Sequence, residues 1–206
     1  SARLHKTAMG WLATYGCADL SIAATHVLDQ ARLLQHDVYL LWLDLATFFP
    51  KIQRAGLRIS EIAHGLPRVV LDLAALIYGA GRGDVNCAKC QYDSAAGLGG
   101  EFSNHMGALM GCVLSPDKAR VFLNSVVTAI FAVTRGVRLW GYDDAGVARA
   151  WRSICQLVCA DDWLGMFTRP KEVRRAWAIL SSWEPMMGAE IGIKAAAKTV
   201  LSGVRW

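Results

Sequence analysis

The chain is short of charge. Of its 206 residues 19% are Asp, Glu, Lys or Arg, against 54% hydrophobic. That balance excludes a disordered, solvated chain, which needs low hydrophobicity and high net charge to stay open. Long apolar runs are missing too. The longest candidates, VYLLWL before Asp44 and VFLNSVVTAIFAV at 121–133, fall short of the roughly 18 to 20 residues that a membrane span requires. No basic-then-apolar leader with a cleavage site opens the sequence, so it reads as soluble. There is no internal repeat and no low-complexity tract. Cysteine is present but lacks the spacing of a metal site. Most of the six (Cys17, Cys87, Cys90, Cys112, Cys155, Cys159) sit in apolar runs, as reduced core thiols of an intracellular protein do. Cys87 and Cys90 form a single C-x-x-C, and zinc would need a second ligand pair where only His105 is loosely at hand.

What is there is enough chain for one domain with a real core. A net charge of +5 and a pI near 9.0 permit a polyanionic partner without establishing one. The sequence opens on Ser1 and stops at Trp206 just after VLSGV, so both ends are expected to be cut from something longer.

Periodicity places the elements. Residues 21–35 carry Ile22, Val27, Leu28, Ala31 and Leu34 largely on one helical face, with Ser21 as cap. VYLLWLDL, 38–45, reads as a strand buried on both faces. Ile52, Ala55, Ile59 and Ile62 predict a helix over 51–64, and Pro67 starts another through Tyr78. Residues 84–106 read as two short strands around a flexible SAAGLGG loop. Ser115 as N-cap, Pro116 and Asp117 open a helix that continues through the apolar run at 121–133. SICQLVC and WLGMF are strands joined by an ADD turn. Residues 169–183 are helical, with Trp177, Leu180 and Val173 inward and the basic RPKEVRR run as a solvated face. The tail, AEIGIKAAAKTVLSGV, predicts two short strands. The class is α+β, a small and largely antiparallel sheet with packed helices.

Two aspartate-bearing strand ends stand out, Asp44 and the Asp161–Asp162 turn. Were their strands neighbours, about 4.8 Å apart, the carboxylates would converge. Convergent carboxylates repel one another but suit Mg²⁺, a hard ion that takes oxygen ligands. Two such ions can activate a hydroxyl and neutralise a leaving phosphate.

In that order and spacing the motifs resemble the palm of a reverse transcriptase, closest to the non-LTR retrotransposon type. YGCADLSIAAT resembles the segment that precedes the palm, and LWLDLATFFPKI the first catalytic motif, an aspartate followed five residues later by an aromatic. GALMGCVLSP resembles Gly-x-Arg-Gln-Gly-Cys-Pro-Leu-Ser-Pro, CADD resembles Tyr/Phe-Ala-Asp-Asp, and GAEIGIKAAAKT the later Gly-Leu-x-x-Asn…Lys-Thr element. The resemblance covers about Tyr15 to Thr199 and implies a single palm domain with partial fingers over 1–206, without a thumb. It makes Asp44 and Asp161 the main catalytic metal ligands for two Mg²⁺ or Mn²⁺ ions, with Asp162 beside them and the carbonyl of Leu45 as an additional ligand. Phe49 would lie under the sugar of the incoming nucleotide. Gly111, Leu114, Ser115 and Pro116 would support template and nucleotide, and Lys198 the triphosphate. The partners implied are an RNA template, a DNA primer and deoxynucleoside triphosphates. Leu109, Met110 and Val113 depart from the family's Arg, Gln and Pro, Cys159 from its aromatic, and Gly192 from its Asn. The departures describe a divergent copy, with a non-catalytic, RNA-binding or structural domain as the alternative.

Overall fold

The structure is a computed structural model that describes residues 17–46, 48–78, 88–104, 106–108, 114–142, 144–159, 161–189, 191 and 200–204. In chain order these form α1 (Cys17–Leu33), β1 (Val38–Asp44), α2 (Phe48–Lys51), α3 (Arg54–Ala63), α4 (Arg68–Ile77), β2 (Ala88–Ser94), β3 (Gly97–Asn104), α5 (Ser115–Val133), β4 (Val137–Tyr142), β5 (Ala148–Ile154), β6 (Gln156–Cys159), β7 (Asp162–Phe167), α6 (Pro170–Met187) and β8 (Val200–Val204). The central sheet is antiparallel, in the order β6-β7-β1-β8. Two hairpins, β2–β3 and β4–β5, stand apart as two-stranded sheets. This is the expected α+β architecture.

Alternation along β1 builds two cores. Leu41 and Leu43 face α5 and α6, together with Trp163 and Phe167 of β7. Phe122 is fully buried there, its ring 5.3 Å from that of Trp183 in an edge-on contact and 6.1 Å from Phe48. Each fully buried side chain of this size contributes about 1.5–3 kcal/mol of transfer free energy. On the other face Val38, Leu40, Leu164 and Met166 meet Val27 and Ala31 of α1 and Val137 of β4. No helix among the described residues is long and apolar enough to cross a membrane.

Several local expectations need correction. The first helix begins at Cys17, so Ser21 lies inside it and its carbonyl accepts the Thr25 hydroxyl at 2.9 Å. Ile22, expected inward, is 58% exposed. The helix expected over 51–64 is α3, Arg54–Ala63, with Lys51 ending α2, and its inward face is not the aliphatic one. Ile59 and Ile62 are exposed, while Arg54, Leu57, Ser60 and Glu61 are buried. Paired polar groups took the interior because each has a partner there, which hydrophobic spacing cannot register. SAAGLGG is no flexible loop. Its glycines belong to β3 and a tight turn with Gly97 at φ +108°. Leu114 holds the N-cap position of α5, without a side-chain capping bond, and Ser115 is the first residue of the helix and is buried. Asp162 opens β7 rather than ending a turn, and Ile154 belongs to β5. Of the predicted tail strands, β8 and a bridge between Leu45 and Ile191 lie within the described residues.

Candidate active site

The register of β1 on β7 sets Asp44 directly opposite Asp162, and that of β6 on β7 sets Cys159 opposite Asp162. Directly opposed residues of antiparallel strands share a face, with Cβ atoms about 4.5–5.5 Å apart. The two carboxylates therefore stand side by side on the face that α1 covers farther along. The Leu45 N–H donates to the Asp161 carbonyl at 3.4 Å, which ties the turn to the end of β1. Asp44 and Asp161 are half-buried and Asp162 is exposed. Leu45 is buried, its side chain in the larger core.

A cavity of about 380 Å³ opens on this face, lined by Asp44, Asp162, Cys159, Trp42 and, from α1, Leu20 and Ser21. Trp42, one register row behind Asp44, is 45% exposed. The apolar row of this face thus gives way to two acids where the cover of α1 runs out. Like charges placed opposite one another destabilise a sheet, so the pair is a burden without a cation.

Among the described residues no three Asp, Glu, His or Cys side chains gather into a ready metal cage. What the strands bring together is the pair Asp44 and Asp162, with Asp161 beside them in the chain. That donor set fits Mg²⁺, which keeps several waters and is held through one or two carboxylates plus substrate phosphates.

A second group of residues positions Phe49. Its half-buried ring meets Phe48 edge-on at 5.5 Å, and its carbonyl accepts the Ala108 N–H at 2.8 Å. Gly107 donates to the Ile52 carbonyl at 2.9 Å. Its φ is +81°, and a Cβ there would lie 2.6 Å from the Pro50 carbonyl oxygen and 2.8 Å from that of Phe49, so only glycine fits. Buried Arg54 completes the clamp, donating Nε to the Gly107 carbonyl and an Nη to that of Met106, each at 3.1 Å. Its guanidinium lies 4.7 Å over the Tyr78 ring, and Lys118, ion-paired with Glu61 in the interior, lies 5.2 Å from the same ring. Hydrogen bonds to charged groups contribute about 1.5–3 kcal/mol each, so this cluster fixes the segment that leads towards α5. Sequence reasoning missed Arg54, Glu61, Gly107 and Lys118. The one signal for them was a glycine immediately before the ALMG stretch.

Ser115 is buried, and Leu114 and Pro116 are half-buried at the start of α5. Trp163 packs in the larger core. Gly111, Lys198, Cys87, His105 and the divergent positions Leu109, Met110, Val113 and Gly192 lie outside the described residues.

No protein-family model and no curated protein matches the chain. Solved structures do. Apo telomerase from Candida tropicalis, truncated from its C-terminal domain, superposes with a TM-score of 0.63 at 12% identity over 93% of this chain and 36% of that one. Telomerase from Candida albicans in complex with the TWJ fragment of telomeric RNA gives 0.62 at 11% over 96% and 31%. The Candida tropicalis complex with that fragment gives 0.64 at 12% over 97% and 30%. The fold is reverse-transcriptase-like. At these identities the likeness speaks of the fold alone, and the chain spans about a third of the length of the telomerases it matches. Within a reverse-transcriptase-like fold, the opposed Asp44 and Asp162 sit at the ends of the two central strands of the main sheet.

Proposed function

We propose that the chain is the palm portion of an RNA-directed DNA polymerase, nearest in its motifs to the non-LTR retrotransposon type. It would work inside the cell with an RNA template, a DNA primer and deoxynucleoside triphosphates. The observation that carries this reading is the direct opposition of Asp44 and Asp162 on adjacent strand ends of a reverse-transcriptase-like fold. Asp44, Asp161 and Asp162, with the Leu45 carbonyl, would hold two Mg²⁺ or Mn²⁺ ions, whose chemistry is to activate the primer 3′-hydroxyl and neutralise the departing pyrophosphate. The protein's own part is positioning. Phe49, held through its carbonyl by Ala108, presents a stiff ring five residues from Asp44. There it would exclude a ribose 2′-hydroxyl, selecting by rejection. Gly111, Leu114, Ser115 and Pro116 would support the template–nucleotide pair, and Lys198 the triphosphate.

The test is metal-dependent primer extension on an RNA template. Asp44→Asn and Asp161→Asn should each abolish it, and Phe49→Val should raise ribonucleotide use relative to deoxynucleotide use, each tenfold corresponding to about 1.4 kcal/mol. Extension that survives either Asp change would end the polymerase reading. The alternative, a non-catalytic domain that binds RNA, is favoured by Leu109, Met110 and Val113 in place of the family's Arg, Gln and Pro. It expects no extension with any metal.

A further inference from the structure

The β4–β5 hairpin, inserted between α5 and the strand that leads to the carboxylates, takes no part in the site described above. Its inner face is anchored. Val137 is fully buried, and Leu139 packs against the cluster that α1 forms with β1 and β7. Strand alternation then turns the intervening residues outward. Arg138 is exposed and Trp140 is 42% exposed. The register sets Ser153 opposite Arg138 and Ala150 opposite Trp140, with an extra residue, Trp151, bulged out of β5 between the two pairs. The segment 135–154 carries Arg135, Arg138, Arg149 and Arg152 against Asp143 and Asp144. The register sets Arg152 opposite Leu139 and Arg149 opposite Gly141, so among these strand arginines Arg138 is the one that shares a face with Trp140.

An indole left in water on an anchored ribbon, with a guanidinium two residues away on the same face, matches one chemistry closely. Aromatic side chains on β-strands stack unpaired bases, and neighbouring cations hold the phosphates between them. We propose that the outer face of the β4–β5 hairpin binds single-stranded RNA, with a base stacked on Trp140 and an adjacent phosphate held by Arg138. The choice of RNA over DNA rests on the template assigned under the polymerase reading; the surface itself does not depend on that reading.

The experiment is fluorescence anisotropy of a short fluorescein-labelled oligouridylate titrated with the whole chain. It is run in EDTA, so that a failed metal site cannot affect it. Trp140→Leu, which keeps an apolar surface but loses the ring, should weaken binding about tenfold, and Trp140→Phe should restore most of it. Arg138→Ala should weaken binding and make its salt dependence shallower by about 0.7 in log K against log salt. An oligothymidylate competitor should bind no more tightly than the RNA. Absence of binding by the unaltered chain would overturn the proposal. So would equal affinity of Trp140→Leu and the unaltered chain, or stronger competition by DNA. Should Trp140→Leu lower the melting temperature, Trp140→Phe and Arg138→Ala carry the test, and loss of binding in Trp140→Phe would then count against stacking.

Discussion

The two faces of the central sheet are made by the same strands and do different work. Behind β1 and β7, α5 and α6 close over Leu41, Leu43, Trp163 and Phe167 and leave none of them exposed. In front, α1 covers Val38, Leu40, Leu164 and Met166 but leaves Trp42 and Asp162 open to solvent. The larger core lies on one side, and the opposed carboxylates stand on the other where the cover stops. The pair of opposed acids is tolerable because the packing of both cores farther along the strands holds β1 and β7 together.

The comparison breaks most strongly from behind. Phe122→Ala should cost about 3–5 kcal/mol in denaturant unfolding, whereas Trp42→Ala on the open face should cost under about 1 kcal/mol. Equal losses would show that the two faces share the load. Next in size is the buried ion pair beneath the Phe49 clamp. Lys118→Met leaves Glu61 buried without its cation and should cost about 3 kcal/mol, most of which Glu61→Leu in the same chain should recover.

A titration sharpens the packed side further. Burial raises the Cys155 thiol above its ordinary value of 9.0; a hydrogen bond with Thr134 offsets part of this, and the charge of Glu172 adds to it. The folded thiol keeps its proton where the unfolded one has lost it. Stability from this group is therefore complete below about pH 9 and falls as the pH climbs from there towards the folded value. The slope from one group is at most about 1.4 kcal/mol per pH unit, and unfolding of Cys155→Ala should lack that component above pH 9. The smallest effect belongs to the acids in front. Asp44→Asn should stabilise the metal-free chain by less than about 1 kcal/mol, by removing one like charge from a cross-strand pair. Mg²⁺ at ten times its Kd should stabilise the unaltered chain by about 1.4 kcal/mol, and the variant far less. Identical melting shifts in both would remove the metal from the site.

The sequence was most legible where a strand is buried on both sides or bounded by punctuation. The VYLLWLD strand and the Pro67 start sit close to where they were expected, although Trp42 is exposed and Asp162 belongs to β7 rather than to the turn. It was least legible where polar groups turn inward. Helix α3 buries Arg54 and Glu61 and exposes Ile59 and Ile62, because partners distant in sequence satisfy the charges. The β4–β5 hairpin went unread because alanines and a glycine dilute its alternation. Of the candidate site, the aspartates were readable from motif order. The Arg54–Gly107 clamp was not, since it joins residues 53 apart through backbone carbonyls that any sequence provides.

The locked register of β1 has one further consequence, for insertions and deletions. Side chains alternate between faces with a period of two, so one residue added or removed between Val38 and Asp44 would exchange the faces of everything beyond it. The carboxylate of Asp44 would then point to the side of the larger core, and a leucine would take its place beside Asp162. Length changes can be absorbed in the connections of this chain, but within those seven residues even a single one would abolish the acidic pair and open the core together.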